Sequence, residues 1–115
     1  MIVDDDSSIR EFVSMALSFE GYHPITANDG AAALELLETE DPRVILLDMR
    51  MPGVDGWAFA RRYRAKPGPR APIIVLTAAR DAADFAREID ADGFLPKPFN
   101  LDELLTLVGK HVQAR

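Results

Sequence analysis

The sequence predicts an α/β protein built on a parallel sheet. Three observations lead there. Short apolar runs of strand length alternate with segments of helical periodicity along the chain. Most of those runs are apolar at every position, which is the pattern of strands covered on both faces. No repeat, low-complexity tract or long linker breaks the alternation, so helices on both faces of one sheet account for it. Composition agrees: 115 residues, 48% hydrophobic and 28% charged, suit one globular domain. No apolar run approaches the ~18 residues of a membrane span. No basic segment followed by an apolar stretch opens the sequence, so no secretory leader is expected. The lack of Cys excludes a disulfide scaffold and thiolate chemistry, and suits a reducing compartment. With 19 Asp+Glu against 13 Lys+Arg the formal charge is −6, which argues against direct nucleic-acid binding by this segment.

The elements follow in order. The first strand is expected at residues 1–3; it is so short that further residues are expected to precede it. Ile9, Phe12, Val13, Ala16 and Leu17 recur at i, i+3, i+4, i+7 and i+8, the stripe of an amphipathic helix. A weaker apolar run at 22–27 is the second strand. Asn28-Asp29-Gly30 opens a second helix, expected over 31–40. Residues 44–47 form the third strand, and 57–64 the third helix, with Phe59, Ala60 and Tyr63 facing inward. Lys66-Pro67-Gly68-Pro69 is a turn. The fourth strand is expected at 73–76, a short fourth helix at 81–89 and the fifth strand at 93–95. The fifth helix spans 101–112, with Asn100 as N-cap and Glu103 placed for a capping box. The order is (βα)5, and right-handed crossovers leave few alternative topologies.

In such sheets ligands bind beyond the carboxyl ends of the strands, so the residues there carry the chemistry. Asp4-Asp5-Asp6 follow the first strand, Asp48 the third, Thr77-Ala78 the fourth and Lys97-Pro98-Phe99 the fifth. Each has an ordinary structural explanation. The three aspartates suit a helix start, Asp48 could cap a turn, Thr77 could be a satisfied hydroxyl, and Lys97 could be a solvated surface lysine. Taken together those explanations weaken, because acids gathered on one edge repel each other, raise their pKa values and cost stability. A divalent cation accounts for the arrangement. Asp4, Asp5 and Asp48 with Lys97 leave two negative charges, which one such ion neutralises. Hard oxygen donors without His or Cys favour Mg2+, with Mn2+ as the alternative. An Asp carboxylate can itself be a nucleophile that forms an aspartyl phosphate, with Thr77 and Lys97 placed to contact phosphoryl oxygens.

The motif set Val3-Asp4-Asp5-Asp6, Leu46-Leu47-Asp48-Met49-Arg50-Met51-Pro52-Gly53, Asp55-Gly56, Leu76-Thr77-Ala78 and Lys97-Pro98-Phe99 resembles the receiver domains of bacterial two-component response regulators, including the single-domain chemotaxis type. One of these motifs alone is weak, but the set in this order and spacing is specific. The resemblance covers essentially the whole chain and implies one receiver domain over 1–115. It implies a flavodoxin-like, doubly wound five-stranded parallel sheet of strand order 2-1-3-4-5. It also implies phosphoryl transfer from a sensor histidine kinase or histidine phosphotransfer protein onto Asp48 with Mg2+. Such a domain catalyses only its own phosphorylation and dephosphorylation and is not an enzyme on a separate substrate. By resemblance Asp48 is the phosphoacceptor, Asp5 a direct metal ligand, and Asp4 the acid that holds the metal through water. Arg50 gives its backbone carbonyl to the metal, Thr77 is the switch hydroxyl, and Lys97 pairs with the phosphoryl group. Phe94 occupies the place of the switch aromatic, which turns inward on activation. The Lys97–Pro98 peptide is expected to be cis. A cytoplasmic location, no membrane association and a monomer or weak dimer are implied too.

Some features depart from that pattern. Thr77 and Lys97 are twenty positions apart, about two fewer than in typical members, so the fourth helix is expected to be shortened or shifted. The DNA-binding subgroup often has an acidic pair before the switch aromatic and an Arg in the last helix; here those stretches read Asp92-Gly93-Phe94 and Leu104-Leu105-Thr106-Leu107. Two other functions compete. An aspartate-nucleophile Mg-dependent phosphohydrolase would place its nucleophile after the first strand, but Asp4-Asp5-Asp6-Ser7-Ser8 lacks the Thr of that motif and the chain lacks a cap insertion. A non-phosphorylated receiver-like interaction module would not need the full residue set. Finally, Ile9, Phe12 and Met15 form an apolar ridge beside the stripe that Val13, Ala16 and Leu17 already supply. That ridge is the candidate docking surface for the helical bundle carrying the donor histidine.

Overall fold

The computed structural model describes residues 1–112. Strands and helices alternate: β1 (Ile2–Val3), α1 (Ser7–Phe19), β2 (Thr26–Ala27), α2 (Gly30–Leu36), β3 (Ile45–Asp48), α3 (Gly56–Ala65), β4 (Ile73–Ala78), α4 (Ala79–Glu88), β5 (Gly93–Lys97) and α5 (Leu101–His111). All strand pairs are parallel, in the order β2-β1-β3-β4-β5. The order reverses at β1, so the crevice at its carboxyl end lies between β1 and β3. No helix among the described residues is long and apolar enough to cross a membrane.

The continuous apolar runs have a direct cause. Successive strand residues face opposite sides of the sheet, and both sides are covered. Val3, Ile45, Leu47, Ile73 and Val75 pack with Phe59, Tyr63 and Phe85 from α3 and α4. Ile2, Leu46, Ile74, Leu76 and Leu95 pack with Val13 and Leu17 of α1 and Leu104 and Val108 of α5. The inward positions expected on the third helix, Phe59, Ala60 and Tyr63, are buried.

Several boundaries differ from the sequence expectation, each for a physical reason. The run at 22–27 pairs as a strand only at Thr26–Ala27. Gly21 turns the chain at φ +89°, and Pro24 has no N–H for a ladder. The second helix stops at Leu36, where Glu38 N–H and Thr39 N–H bond three residues back, to Glu35 and Leu36, and tighten the end. The fourth helix is shifted: it starts at Ala79 directly after β4, with Ala78 as an N-cap that has no side-chain bond. β3, β4 and β5 run further than expected, so Asp48, Thr77 and Lys97 are strand residues. Pro96 is accommodated because β5 is an edge strand. Asn100 caps α5, accepting the Glu103 N–H at 2.8 Å, and the Lys97–Pro98 peptide is cis.

Candidate functional site

Three consecutive aspartates leave β1, and the structure divides them. Asp6 is the N-cap of α1, accepting the backbone N–H of Ser8 at 2.9 Å and of Ile9 at 3.3 Å. The helix-start explanation thus holds for Asp6 alone. Asp4 is completely buried. Its Oδ1 accepts the Asp6 N–H and its Oδ2 accepts Lys97 Nζ, both at 2.9 Å. Asp5 is exposed. Asp48, the last residue of β3, is only 6% exposed. It does not cap the next helix, because Asp55 does so by accepting the Ala58 N–H at 2.9 Å.

One oxygen from each of Asp4, Asp5 and Asp48 lies within 4.8 Å of the others. Lys97 Nζ sits 3.8 Å from Asp48 Oδ1. The lysine is therefore not a solvated surface group. It leans on Asp4 more closely than on Asp48. Thr77 is buried, and its β4 register puts it opposite Pro96, next to Lys97. Residues from β1, β3, β4 and β5 thus meet at one end of the sheet.

The electrostatics are unbalanced. The Asp48 carboxyl is pushed up to about 7, first by burial and then by the charge of Asp4. Lys97 opposes this, a hydrogen bond with Asp5 raises it further, and the Arg50 backbone N–H lowers it. One ammonium does not neutralise three carboxylates, and their oxygens are hard donors. This donor set fits Mg2+. Asp5 is the most accessible of the three, and Asp4 has its oxygens partly engaged, which suits an outer role for Asp4. The same engagement disfavours Asp4 as the nucleophile of a phosphohydrolase.

The loop after Asp48 is held flat against the site. A Cβ on Gly56 would lie 2.6 Å from Met49 Cα, and Gly56 N–H bonds Met49 O at 3.0 Å. Gly53 turns this loop at φ +72°. The glycines of the motif are thus required by close approach and by a left-handed turn.

Other predicted residues are distributed as follows. Phe94 lies on β5 and is 43% exposed. Ile9 packs partly against the core, while Phe12 and Met15 are exposed. Ile9 and Phe12 line an open groove of about 340 Å3 with Ala78, Lys97, Pro98 and Phe99. A larger cavity of about 500 Å3 lies at the other end of the sheet, between Tyr22, Pro42 and Val108. Sequence reasoning missed three features. Phe19 extends the ridge and is 87% exposed; its spacing of seven from Phe12 was the available signal. Arg10 donates to the Asp4 carbonyl at 2.7 Å. The Arg50 side chain reaches α4, where its guanidinium is 3.9 Å from Asp81 and 5.0 Å from the centroid of the Phe85 ring; nothing in the spacing marked that contact.

Comparisons with known proteins agree with this geometry. Response regulator MprA of Mycobacterium leprae is 42% identical over 110 residues, covering 94% of this chain and 48% of that protein. The chain spans about half the length of the curated relatives it matches. The receiver domain of NtrX from Brucella abortus superposes with a TM-score of 0.88 at 28% identity, covering 99% of this chain and 98% of that one. Chemotaxis response regulator CheY4 of Vibrio cholerae gives 0.87 at 33% identity, covering 96% and 95%. Residues 1–109 match the family described as the response regulator receiver domain, and the chain belongs to that family.

Proposed function

We propose that this chain is a phosphoacceptor. Asp48 takes a phosphoryl group from a histidine of a sensor kinase or phosphotransfer protein in the cytoplasm, and the domain then changes conformation to signal. The observation that carries this reading is the buried, charge-strained Asp48 beside two further carboxylates and one lysine. A carboxylate oxygen of Asp48 attacks phosphorus, the P–O bond forms as the P–N bond to the donor imidazole breaks, and the imidazole keeps the electron pair. Bound Mg2+ supplies the positive charge that keeps Asp48 ionised at neutral pH and offsets the phosphoryl oxygens. Asp5 and Asp48 would hold it directly, Asp4 through water, and Arg50 through its backbone carbonyl. Lys97 shifts its ammonium from Asp4 towards the phosphoryl oxygens, a short move since both carboxylates are already within 3.8 Å. The Thr77 hydroxyl supplies a further donor. Phe94 then packs inward in the space that Thr77 vacates.

Acetyl phosphate with Mg2+ should add one phosphoryl group by intact mass, and Asp48→Asn should add none. Labelling that survives Asp48→Asn, or that ignores EDTA, refutes the assignment.

A further inference from the structure

Arg50 touches the site and α4 at once. Its backbone N–H donates to the Asp48 carboxylate. Its guanidinium, on the same residue, lies 3.9 Å from Asp81 Oδ2 and 5.0 Å from the Phe85 ring centroid. Asp81 is within reach because α4 begins directly after β4 and brings its first turn over the loop. Arg80 shares Asp81 at 3.9 Å, but its side chain is 89% exposed against 67% for Arg50. The Phe85 ring also meets Trp57 edge-on, with centroids 4.7 Å apart, and Trp57 Nε1 donates to Glu88 Oε1 at 2.8 Å. Asp48, Arg50, Phe85 and Trp57 therefore form a continuous path from the carboxylate to the α3–α4 seam.

We propose that Arg50, Asp81 and Phe85 form a latch that holds α4 in the resting arrangement and is released when Asp48 is phosphorylated. This rests on the phosphoacceptor reading above. The group added to Asp48 is a dianion, and the Arg50 backbone already bonds the Asp48 carboxylate, so a turn of the long Arg50 side chain brings its guanidinium to the phosphoryl oxygens, which it binds through two parallel hydrogen bonds. Asp81 offers one carboxylate at the protein surface, where an ion pair is weak. The guanidinium therefore moves towards the phosphoryl group, and α4 loses its anchor at Asp81 and Phe85. Arg50 is a positioning residue in this scheme. Coupling of this kind is reciprocal: whatever loosens the latch must favour the phosphorylated state.

The test uses beryllofluoride with Mg2+ as a phosphoryl mimic, and emission of Trp57, the single Trp of the chain. In the unsubstituted protein, beryllofluoride should change the Trp57 emission. Asp81→Asn removes the competing carboxylate and should tighten beryllofluoride binding about fivefold. Its emission before addition should already lie towards the bound value. Asp81→Glu keeps the charge and should bind as the unsubstituted chain does. A change below threefold in Asp81→Asn, a loosening, or an emission indifferent to beryllofluoride overturns the latch. Failure of the underlying reading looks different: the unsubstituted protein would then neither gain mass from acetyl phosphate nor bind beryllofluoride, and both proposals would fall together.

Discussion

As the proposed phosphoacceptor, Asp48 combines two demands that oppose each other. A nucleophile must be ionised, yet burial and Asp4 hold the Asp48 carboxyl up at about 7 against an ordinary value of 3.8. Between those two pH values the folded chain binds more protons at this residue than the unfolded chain. Stability therefore falls as pH rises from about 4 to about 7. In EDTA the neutral isostere Asp48→Asn should lack that loss. Its melting temperature should exceed that of the unsubstituted protein by at least ~5 °C at pH 8, since a shift of this size corresponds to at most ~4 kcal/mol, and should match it near pH 4. Parallel melting profiles across this range, followed by circular dichroism, would contradict the origin assigned to the strain. At this scale the sequence was informative about residue types and silent about partners. The aspartates after β1 are chemically identical, and only the position of the α1 start separates Asp6 as a cap from Asp4, which meets Lys97 across 93 residues of chain.

Among the elements, α1 carries the clearest excess of apolar surface. Val13, Ala16 and Leu17 are buried, whereas Phe12, Met15 and Phe19 stand 43%, 63% and 87% exposed. The Phe12 ring lies 6.3 Å from Phe99, so the ridge continues across to the segment after β5 and borders Lys97. An apolar strip beside the proposed phosphoacceptor suits transient docking of a helix bundle, in which a few anchors dominate. Ile9 is a poor probe of this because it also packs on the core. Met15→Asp perturbs the exposed ridge alone. It should slow phosphotransfer from the cognate kinase at least tenfold, about 1.4 kcal/mol of transition-state stabilisation, while labelling by acetyl phosphate stays within twofold. Equal losses with both donors would assign the ridge to folding. The helix itself was legible from its periodicity, since its buried stripe is regular. The start of α4 was not. Ala78 offers no capping side chain, so nothing in the local sequence marks where the helix begins, and only the shortened spacing from Thr77 to Lys97 signalled that it had moved.

The molecule as a whole brings its functional groups from four strands, and this has a thermodynamic consequence. Alternating apolar runs and helical stripes specify the sheet because the central strands β1, β3 and β4 are buried on both faces and crossovers are right-handed. The end of the sheet where ligands bind is then fixed before any side chain is placed. What the pattern does not specify is which side chains touch there, because Asp4, Asp48, Thr77 and Lys97 are juxtaposed by the strand register rather than by sequence proximity. The unfolded chain accordingly has no such cluster, and an ion held by it binds the folded state alone. Mg2+ should therefore stabilise the whole domain by mass action, at ten times its dissociation constant by roughly 1.4 kcal/mol, or about 5 °C in melting temperature. Asp5→Asn removes the most accessible carboxylate of the cluster. It should relieve repulsion and raise the metal-free melting temperature slightly, while losing most of the increase produced by Mg2+. Opposite signs at zero and at saturating metal separate a metal site from a merely structural acidic cluster. A melting temperature of the unsubstituted protein that does not respond to millimolar Mg2+, measured against a Ca2+-free and EDTA-treated reference, would remove the basis for a metal-dependent reaction at Asp48.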